Sequence, residues 1–115
     1  MTLILYGLKN CDSCKKAIKA IEATGKAITF FDVRNDGVST ESLDEWLAAV
    51  GRDKLVNTRS TTWRGLSDDE RILENDEDAK RLLILYPTLI KRPVIINQGT
   101  ISVGWSKGQE SLFAD

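Results

Sequence analysis

Three elements are predicted in the segment Leu5-Tyr6-Gly7-Leu8-Lys9-Asn10-Cys11-Asp12-Ser13-Cys14-Lys15-Lys16-Ala17. They are a strand, then a short loop with two cysteines, and then a basic helix. Residues 2–6 form a short apolar run that is typical of a strand, and Gly7 ends it. Asp12 or Ser13 can cap the helix that follows, and the apolar face of this helix repeats as Ala17, Ile18 and Ile21. The two cysteines therefore lie where a strand passes into a helix.

This position favours a reactive thiol at Cys11. The unpaired backbone N–H groups of a helix start and the positive end of the helix dipole both stabilise a thiolate. They can lower a cysteine pKa from about 8.5 toward neutrality, and Lys15 and Lys16 add positive charge nearby. We predict that Cys11 is a nucleophile and that Cys14, one turn inside the helix, is a resolving thiol.

Three other interpretations apply to the same pair of cysteines. Both thiols could be buried and unreactive, since free cysteine is among the most buried residue types. A zinc site would need about four N or S ligands, and the chain has no histidine and no second cysteine pair. A structural disulfide would close only a small loop in a chain without a secretory signal. We therefore expect no metal and favour redox chemistry.

The composition predicts one soluble globular domain. The chain has 115 residues, of which 42% are hydrophobic and 29% charged, with a formal net charge of −1. This balance argues against direct binding of nucleic acid, and the longest apolar runs are too short to cross a membrane. We expect a cytoplasmic protein. Because histidine is absent, catalysis would depend on thiolate, carboxylate and arginine groups.

The remaining segments predict a mixed sheet with helices. Residues 27–33 are typical of a second strand, parallel to the first. Helices follow, one beginning at Ser39 or Thr40 and ending at Gly51, one opened by a capping box of Ser67 and Glu70, and one ended by Pro87. The segment 93–104 predicts a hairpin turning at Asn97-Gln98-Gly99, and Ser106 with Gln109 predicts a C-terminal helix.

This order predicts an α/β fold: a four-stranded mixed sheet flanked by helices, with an all-helical insertion at about 39–87 in a single domain of residues 1–115. A Cys-x-x-Cys at the first helix of such a unit indicates a thioredoxin-like fold.

Three arginines and a proline are further candidates. Arg59 lies in a polar segment, Arg64 follows a tryptophan, and Arg92 precedes Pro93. An arginine fork can bind an oxyanion or pair with a thiolate, although each arginine alone is also consistent with a solvated surface charge. Pro93 fits either a cis bond facing the cysteine loop or the start of an edge strand.

Four segments together resemble the ArsC/Spx family of glutaredoxin-coupled arsenate reductases and their relatives, especially the YffB-like branch. They occur in the order and spacing of that family: Asn10-Cys11-Asp12-Ser13-Cys14-Lys15-Lys16-Ala17, Asn57-Thr58-Arg59-Ser60-Thr61-Thr62-Trp63-Arg64, Ile90-Lys91-Arg92-Pro93-Val94-Ile95-Ile96 and Val103-Gly104-Trp105. The resemblance covers essentially the whole chain.

The resemblance implies a thioredoxin-like fold and a role for each matched residue. Cys11 would be the nucleophile that attacks the substrate and is then resolved through glutathione and glutaredoxin. Arg59 and Arg92 would hold the oxyanion and stabilise the thiolate, Pro93 would be the cis-proline, and Asn10 would join them in binding substrate. No bound cofactor is implied, and glutathione would be the reductant.

Two positions depart from the arsenate reductases. Their third oxyanion arginine should fall near Gly104, where this chain reads Val103-Gly104-Trp105. With two arginines instead of three, we expect arsenate to be bound less well. Cys14 is the second departure, because Spx regulators carry Cys-x-x-Cys as a disulfide switch and bind the α subunit of RNA polymerase.

The sequence thus predicts a monomeric glutathione-dependent thiol–disulfide or oxyanion reductase acting on a small anionic or disulfide substrate. The alternative is an Spx-like, redox-switched transcriptional regulator that contacts the polymerase α subunit.

Overall fold

The computed structural model describes residues 2–105. The chain divides into two compact units: the first joins residues 1–36 to the chain from Arg92 onward, and the second is Gly37–Lys91. The second unit contains the residues that we interpreted as a helical insertion, with boundaries a few residues wider than 39–87. That the whole chain is a single domain stays a prediction.

The first unit is built on a four-stranded mixed sheet with strand order β2-β1-β3-β4. The strands are β1 (Thr2–Gly7), β2 (Ala27–Asp32), β3 (Val94–Asn97) and β4 (Thr100–Val103). Strand β1 pairs in parallel with β2 and antiparallel with β3, and β3 pairs antiparallel with β4. The predicted mixed sheet is confirmed.

The helix α1 (Asp12–Glu22) connects the two parallel strands. The core of this unit is a cluster of fully buried side chains, Leu3, Leu5, Ala17, Ile21 and Ile95, with Ile18, Ile28, Phe30 and Trp105 packed against it. Alternate residues of a strand share a face, and residues four apart share a helix face. Leu3 and Leu5 therefore pack with Ala17 and Ile21, and this packing fixes the helix start relative to the end of β1.

The hairpin of β3 and β4 turns through two residues, Gln98 and Gly99. Their φ angles are 52° and 83°, and two consecutive positive φ angles are typical of the type I′ turn, whose twist matches that of the strands. The predicted hairpin is confirmed.

The second unit is helical. Its helices are α2 (Thr40–Val50), α3 (Arg52–Leu55), α4 (Thr61–Arg64) and α5 (Asp76–Leu85), followed by a 3₁₀ turn at Pro87–Leu89. Ser39 caps α2 by accepting a hydrogen bond from the Ser42 N–H, and Gly51 ends the helix at a φ of 84°. Lys80 of α5 pairs with Asp44 of α2 at 3.1 Å.

Two sequence-based predictions about helix starts were wrong. Cys11 itself is the N-cap of α1, so neither Asp12 nor Ser13 has that role. Ser67 and Glu70 do form the reciprocal capping-box hydrogen bonds, 2.9 and 3.2 Å long, but only a turn follows them. Asn75 instead begins α5 by accepting a hydrogen bond from the Asp78 N–H. The capping box of Ser67 and Glu70 therefore stabilises an isolated turn and not the first turn of a helix.

The C-terminal helix predicted from Ser106 and Gln109 lies outside the described residues. Among residues 2–105, no helix is long and apolar enough to span a bilayer.

Candidate active site

Cys11 occupies the junction between β1 and α1. Its N–H donates to the Leu8 carbonyl at 3.2 Å, which closes the loop, and its carbonyl accepts the Lys15 N–H at 3.0 Å, which starts the helix. Its backbone is extended, with φ −87° and ψ 120°, as expected at an N-cap. The half-buried side chain therefore stands where the free N–H groups of the first turn converge.

Cys11 has a lowered pKa. Burial is the largest single influence and acts to raise the pKa of this thiol, but the Cys14 N–H, the Cys14 thiol and the hydrogen bond and charge of the Arg92 guanidinium together lower the pKa by more. The sequence-based argument for a stabilised thiolate thus agrees in direction with the geometry.

Cys14 is the opposite kind of thiol. Its side chain is only 1% exposed. Burial, with the nearby Cys11 sulfur, raises the pKa of Cys14 to about 12 even though the Leu8 backbone acts against this change. The two thiols therefore differ: the pKa of Cys11 lies below the ordinary value of a thiol, and the pKa of Cys14 lies well above it. Both cysteines are free of any disulfide.

A cavity of about 380 Å³ opens beside Cys11. We call it the cysteine cavity, and its lining residues are Leu8, Lys9, Asn10, Cys11, Asp32, Arg34, Asn35 and Arg92. All of them belong to the first unit. Three of the lining side chains are cationic and one is acidic, so the wall favours an anionic ligand.

Asp32 is the single acidic residue of this wall, and its carboxylate is hydrogen-bonded to backbone N–H groups. Its carboxylate accepts the N–H groups of Arg34 and Asn35 at 2.8 and 2.9 Å. The Asn35 hydrogen bond lowers the pKa of this carboxyl most, and burial opposes the change. The side chain is 7% exposed. Asp32 therefore shapes the loop after β2 and thereby sets where Arg34 and Asn35 stand in the cavity wall.

Arg92 and Pro93 enter the site from the start of β3. The peptide bond between them is cis, which agrees with the role that the family resemblance gives to Pro93. The buried proline offers its carbonyl to the Gly104 N–H at 2.9 Å. Asn10, Cys11 and Arg92 are thus brought to one cavity, and Pro93 joins Arg92 to the strand β3.

Arg59 lies in the second unit and lines another cavity, of about 270 Å³, with Lys54, Asn57 and Lys91 among its neighbours. The loop is held by Asn57, whose side-chain oxygen accepts the Arg59 N–H at 3.1 Å, and the Arg59 side chain is exposed. The association of Arg59 with Cys11 stays a prediction from the resemblance.

The sequence argument missed Lys9, Arg34 and Asn35 as lining residues. A signal was available, because the ends of the parallel strands β1 and β2 lie at one edge of the sheet. Polar residues just after both strands should therefore have been placed in one site.

Comparisons with known proteins agree with this fold. The sequence profile of the ArsC family matches residues 6–111. A solved structure of a YffB protein, 30% identical, has a TM-score of 0.91 and covers 98% of this chain and 99% of that one. An arsenate reductase (ArsC) related protein from Brucella melitensis, 36% identical, has a TM-score of 0.76 and covers 97% of this chain and 93% of its own. The predicted thioredoxin-like fold is confirmed.

Two relatives in sequence differ in what is known of them. An uncharacterized protein of Haemophilus influenzae is 37% identical over 113 residues, which is 97% of this chain and 99% of that protein. Global transcriptional regulator Spx 1 of Bacillus cereus is 26% identical over 111 residues, which is 95% of this chain and 84% of the regulator. The family profile matches nearly the whole sequence, and the fold agrees with it, so this chain belongs to the ArsC family.

Proposed function

We propose that this protein is a glutathione-dependent thiol–disulfide or oxyanion reductase in which the Cys11 thiolate is the nucleophile. Membership of the ArsC family supports thiol-dependent reduction in general. The single observation that carries the more specific proposal is the pairing of Cys11, whose pKa is lowered, with the cationic cysteine cavity.

The cavity suits glutathione on charge. This tripeptide carries two carboxylates and one ammonium group at neutral pH, so its net charge is negative. Lys9, Arg34 and Arg92 line the cavity, and the carboxylate of Asp32 is satisfied by backbone N–H groups. The wall therefore presents a net positive field to the ligand, which raises its local concentration and orients it.

The chemistry follows from a thiolate with a low pKa. The Cys11 thiolate attacks one sulfur of a mixed disulfide, so a new S–S bond forms as the old one breaks and the substrate leaves as a thiolate. Where the substrate is a mixed disulfide with glutathione, Cys11 takes the glutathionyl group, and a free glutathione thiolate then attacks the glutathionyl sulfur. Oxidised glutathione forms and Cys11 leaves as thiolate, so the added glutathione and the glutathionyl group together supply the two electrons. Glutaredoxin would be a partner where it takes over the second attack.

The direct test removes the nucleophile. Cys11→Ser should abolish glutathione-dependent reduction of a small disulfide because a serine hydroxyl is not ionised at neutral pH, whereas Ser13→Ala in the same helical turn should retain activity. Turnover would be followed by coupling oxidised glutathione to its reductase and nicotinamide cofactor. Full activity in Cys11→Ser would show that this mechanism is wrong.

We assign Arg59 to substrate positioning on the strength of the family resemblance and of its place in a basic, polar cavity. Arg59→Ala should raise the KM for an anionic substrate several-fold, since binding that is equal in the ground state and the transition state is lost. Arg81→Ala, an exposed arginine of α5, is the control. An unchanged KM in Arg59→Ala would show that Arg59 does not position the substrate.

The regulator alternative is supported by the Cys-x-x-Cys sequence and by the Spx relatives. Under this proposal oxidation of Cys11 and Cys14 would change a surface that binds the RNA polymerase α subunit. Purified α subunit should then be retained by the immobilised protein in one redox state only. Failure to retain it in either state would exclude the alternative.

A further inference from the structure

Helix α4 is too short to be stable through its own hydrogen bonds. It spans four residues, Thr61–Arg64, and an isolated helix of fewer than about 12 residues is marginal in water. The Ser60 side chain closes the first turn by accepting the Trp63 N–H at 3.1 Å. The carbonyl groups of the last turn have no donor within a helix. Groups from outside α4 must therefore hold its C-terminal end.

The Arg71 guanidinium supplies two of these donors. Its Nε donates to the Trp63 carbonyl at 3.2 Å, and its Nη2 donates to the Arg64 carbonyl at 2.7 Å. Two N–H groups on one rigid, planar fork thus bind two consecutive carbonyls, a geometry that a lysine ammonium does not offer. Arg71 therefore completes the end of α4 although it lies seven residues beyond the helix.

The turn that precedes Arg71 directs this residue toward α4. Ser67 and Glu70 form the capping box of the turn, and the Arg71 N–H donates to the Ser67 carbonyl at 3.2 Å. The Glu70 carboxylate also accepts the Tyr86 hydroxyl at 2.9 Å, which anchors the turn to the residue that follows α5. The capping box that begins no helix therefore holds the backbone of the residue that completes another one.

Arg64 connects the end of α4 to Arg59. The Arg64 Nη2 donates to the Arg59 carbonyl at 3.2 Å, and the Arg59 N–H donates to the side-chain oxygen of Asn57 at 3.1 Å. Both backbone groups of Arg59 are thus held, while its side chain lines the cavity that also contains Lys54 and Lys91. The place from which the Arg59 side chain extends therefore depends on where α4 holds Arg64.

We infer that Arg71 and Arg64 are positioning residues that act in series on Arg59. Arg71 completes α4, and Arg64, the last residue of α4, fixes the backbone of Arg59. Arg64 thereby contributes through Arg59 and not by binding the substrate itself. The part of this inference that concerns substrate binding rests on the proposed function, in which Arg59 positions an anionic substrate.

Kinetics with the anionic mixed disulfide of glutathione and mercaptoethanol test the role of Arg71. Arg71→Ala should raise the KM by about fivefold, the factor that one typical hydrogen bond supplies, and by no more than Arg59→Ala does. The kcat should stay close to that of wild type, because Arg71 does not line the cysteine cavity. An unchanged KM in Arg71→Ala would overturn the inference.

Two further variants separate the fork from the charge of Arg71. Arg71→Lys keeps the charge but not the fork, so its KM should stay near that of Arg71→Ala. Asp68→Asn is the matched control, because it removes the 3.9 Å ion pair between Asp68 and Arg71 and leaves both hydrogen bonds of the fork. Its KM should equal that of wild type. Full rescue by Arg71→Lys would show that charge, and not the fork, is what Arg71 contributes, and would overturn the inference.

A double-mutant cycle tests whether both residues act through Arg59. In an Arg59→Ala background, Arg71→Ala should have little further effect on the KM, because the side chain that it positions is already gone. Arg64→Ala should show the same dependence on Arg59. Since Arg64 is exposed, this variant carries the test even if Arg71→Ala folds poorly. Equal effects on the KM with and without the Arg59 side chain would overturn the inference.

Hydrogen–deuterium exchange tests the positioning without a substrate. The backbone N–H groups of residues 63–66 are hydrogen-bonded within α4, to its cap or across its end. Their exchange should be faster in Arg71→Ala, because α4 opens more often when its last carbonyls lose two donors, and unchanged in Asp68→Asn. Unchanged exchange in Arg71→Ala would overturn the inference. A wild-type protein that shows this dependence on Arg71 but reduces no disulfide would contradict the proposed function alone.

Discussion

Arg92 is the charged residue most closely tied to Cys11. It lies beside the cysteine in the same cavity, and its guanidinium lowers the Cys11 pKa by a hydrogen bond and by charge. A lysine at this position would keep the charge but lose the planar fork, so charge and hydrogen-bond geometry can be separated by substitution.

We predict that Arg92→Ala raises the Cys11 pKa and that Arg92→Lys raises it less. The thiolate fraction at neutral pH then falls, so alkylation by iodoacetamide slows at pH 7 and recovers at higher pH. Arg81→Ala should leave the profile unchanged. An identical alkylation profile in wild type and Arg92→Ala would mean that Arg92 does not support the thiolate.

Among the helices, α2 shows how much one capping side chain contributes. Ser39 accepts the Ser42 N–H at 3.1 Å and begins an 11-residue helix. Ser67 accepts the Glu70 N–H at 3.2 Å in a similar arrangement, but only a turn follows it.

Ser39→Ala should lower the free energy of unfolding by about 1 kcal/mol, because the first turn of α2 loses its acceptor. Ser67→Ala should cost clearly less, since no helix depends on it. Urea unfolding followed by circular dichroism measures both. A larger loss in Ser67→Ala would contradict this ranking.

The same comparison shows what local sequence could and could not predict. Periodicity and turn residues were sufficient for β1, β2, the hairpin and α2, because each of these elements is specified within its own segment. The helix expected after Ser67 failed because a capping box specifies a start and not a continuation. The cysteine cavity could be predicted only at Asn10, Cys11 and Arg92. Lys9, Arg34 and Asp32 reach it through the pairing of β1 with β2, which no pattern within a single segment records.

Over the whole molecule, the absence of histidine simplifies its response to pH. The chain has 17 acidic and 16 basic residues and no histidine, so no side chain with an ordinary pKa titrates between about pH 5 and pH 8. The pKa of Cys11 is lowered from 9.0, so we expect this residue to contribute most to the pH dependence of stability at neutral and weakly basic pH.

The Cys11 contribution to the stability of the reduced protein should therefore rise with pH below 9.0, the ordinary pKa of this thiol, whereas the raised pKa of Cys14 acts in the opposite sense as the pH approaches and passes 9.0. In this range the unfolded chain holds a proton on Cys11 that the folded chain has already lost, so raising the pH favours the folded state. This contribution disappears as the pH falls through the folded pKa. Cys11→Ser should flatten the curve. Denaturant unfolding under reducing conditions measures both slopes, and parallel curves would refute the linkage.

The segment Val103-Gly104-Trp105 carries an evolutionary consequence. Val103 pairs with Val94, Gly104 has a φ of 80° and donates to the Pro93 carbonyl, and Trp105 packs against the core. Each residue already has a structural task, and an arginine at Gly104 would also meet backbone strain. Replacement of Gly104 alone by arginine should therefore be selected against, and an arginine should be retained at this position only where neighbouring residues change with it.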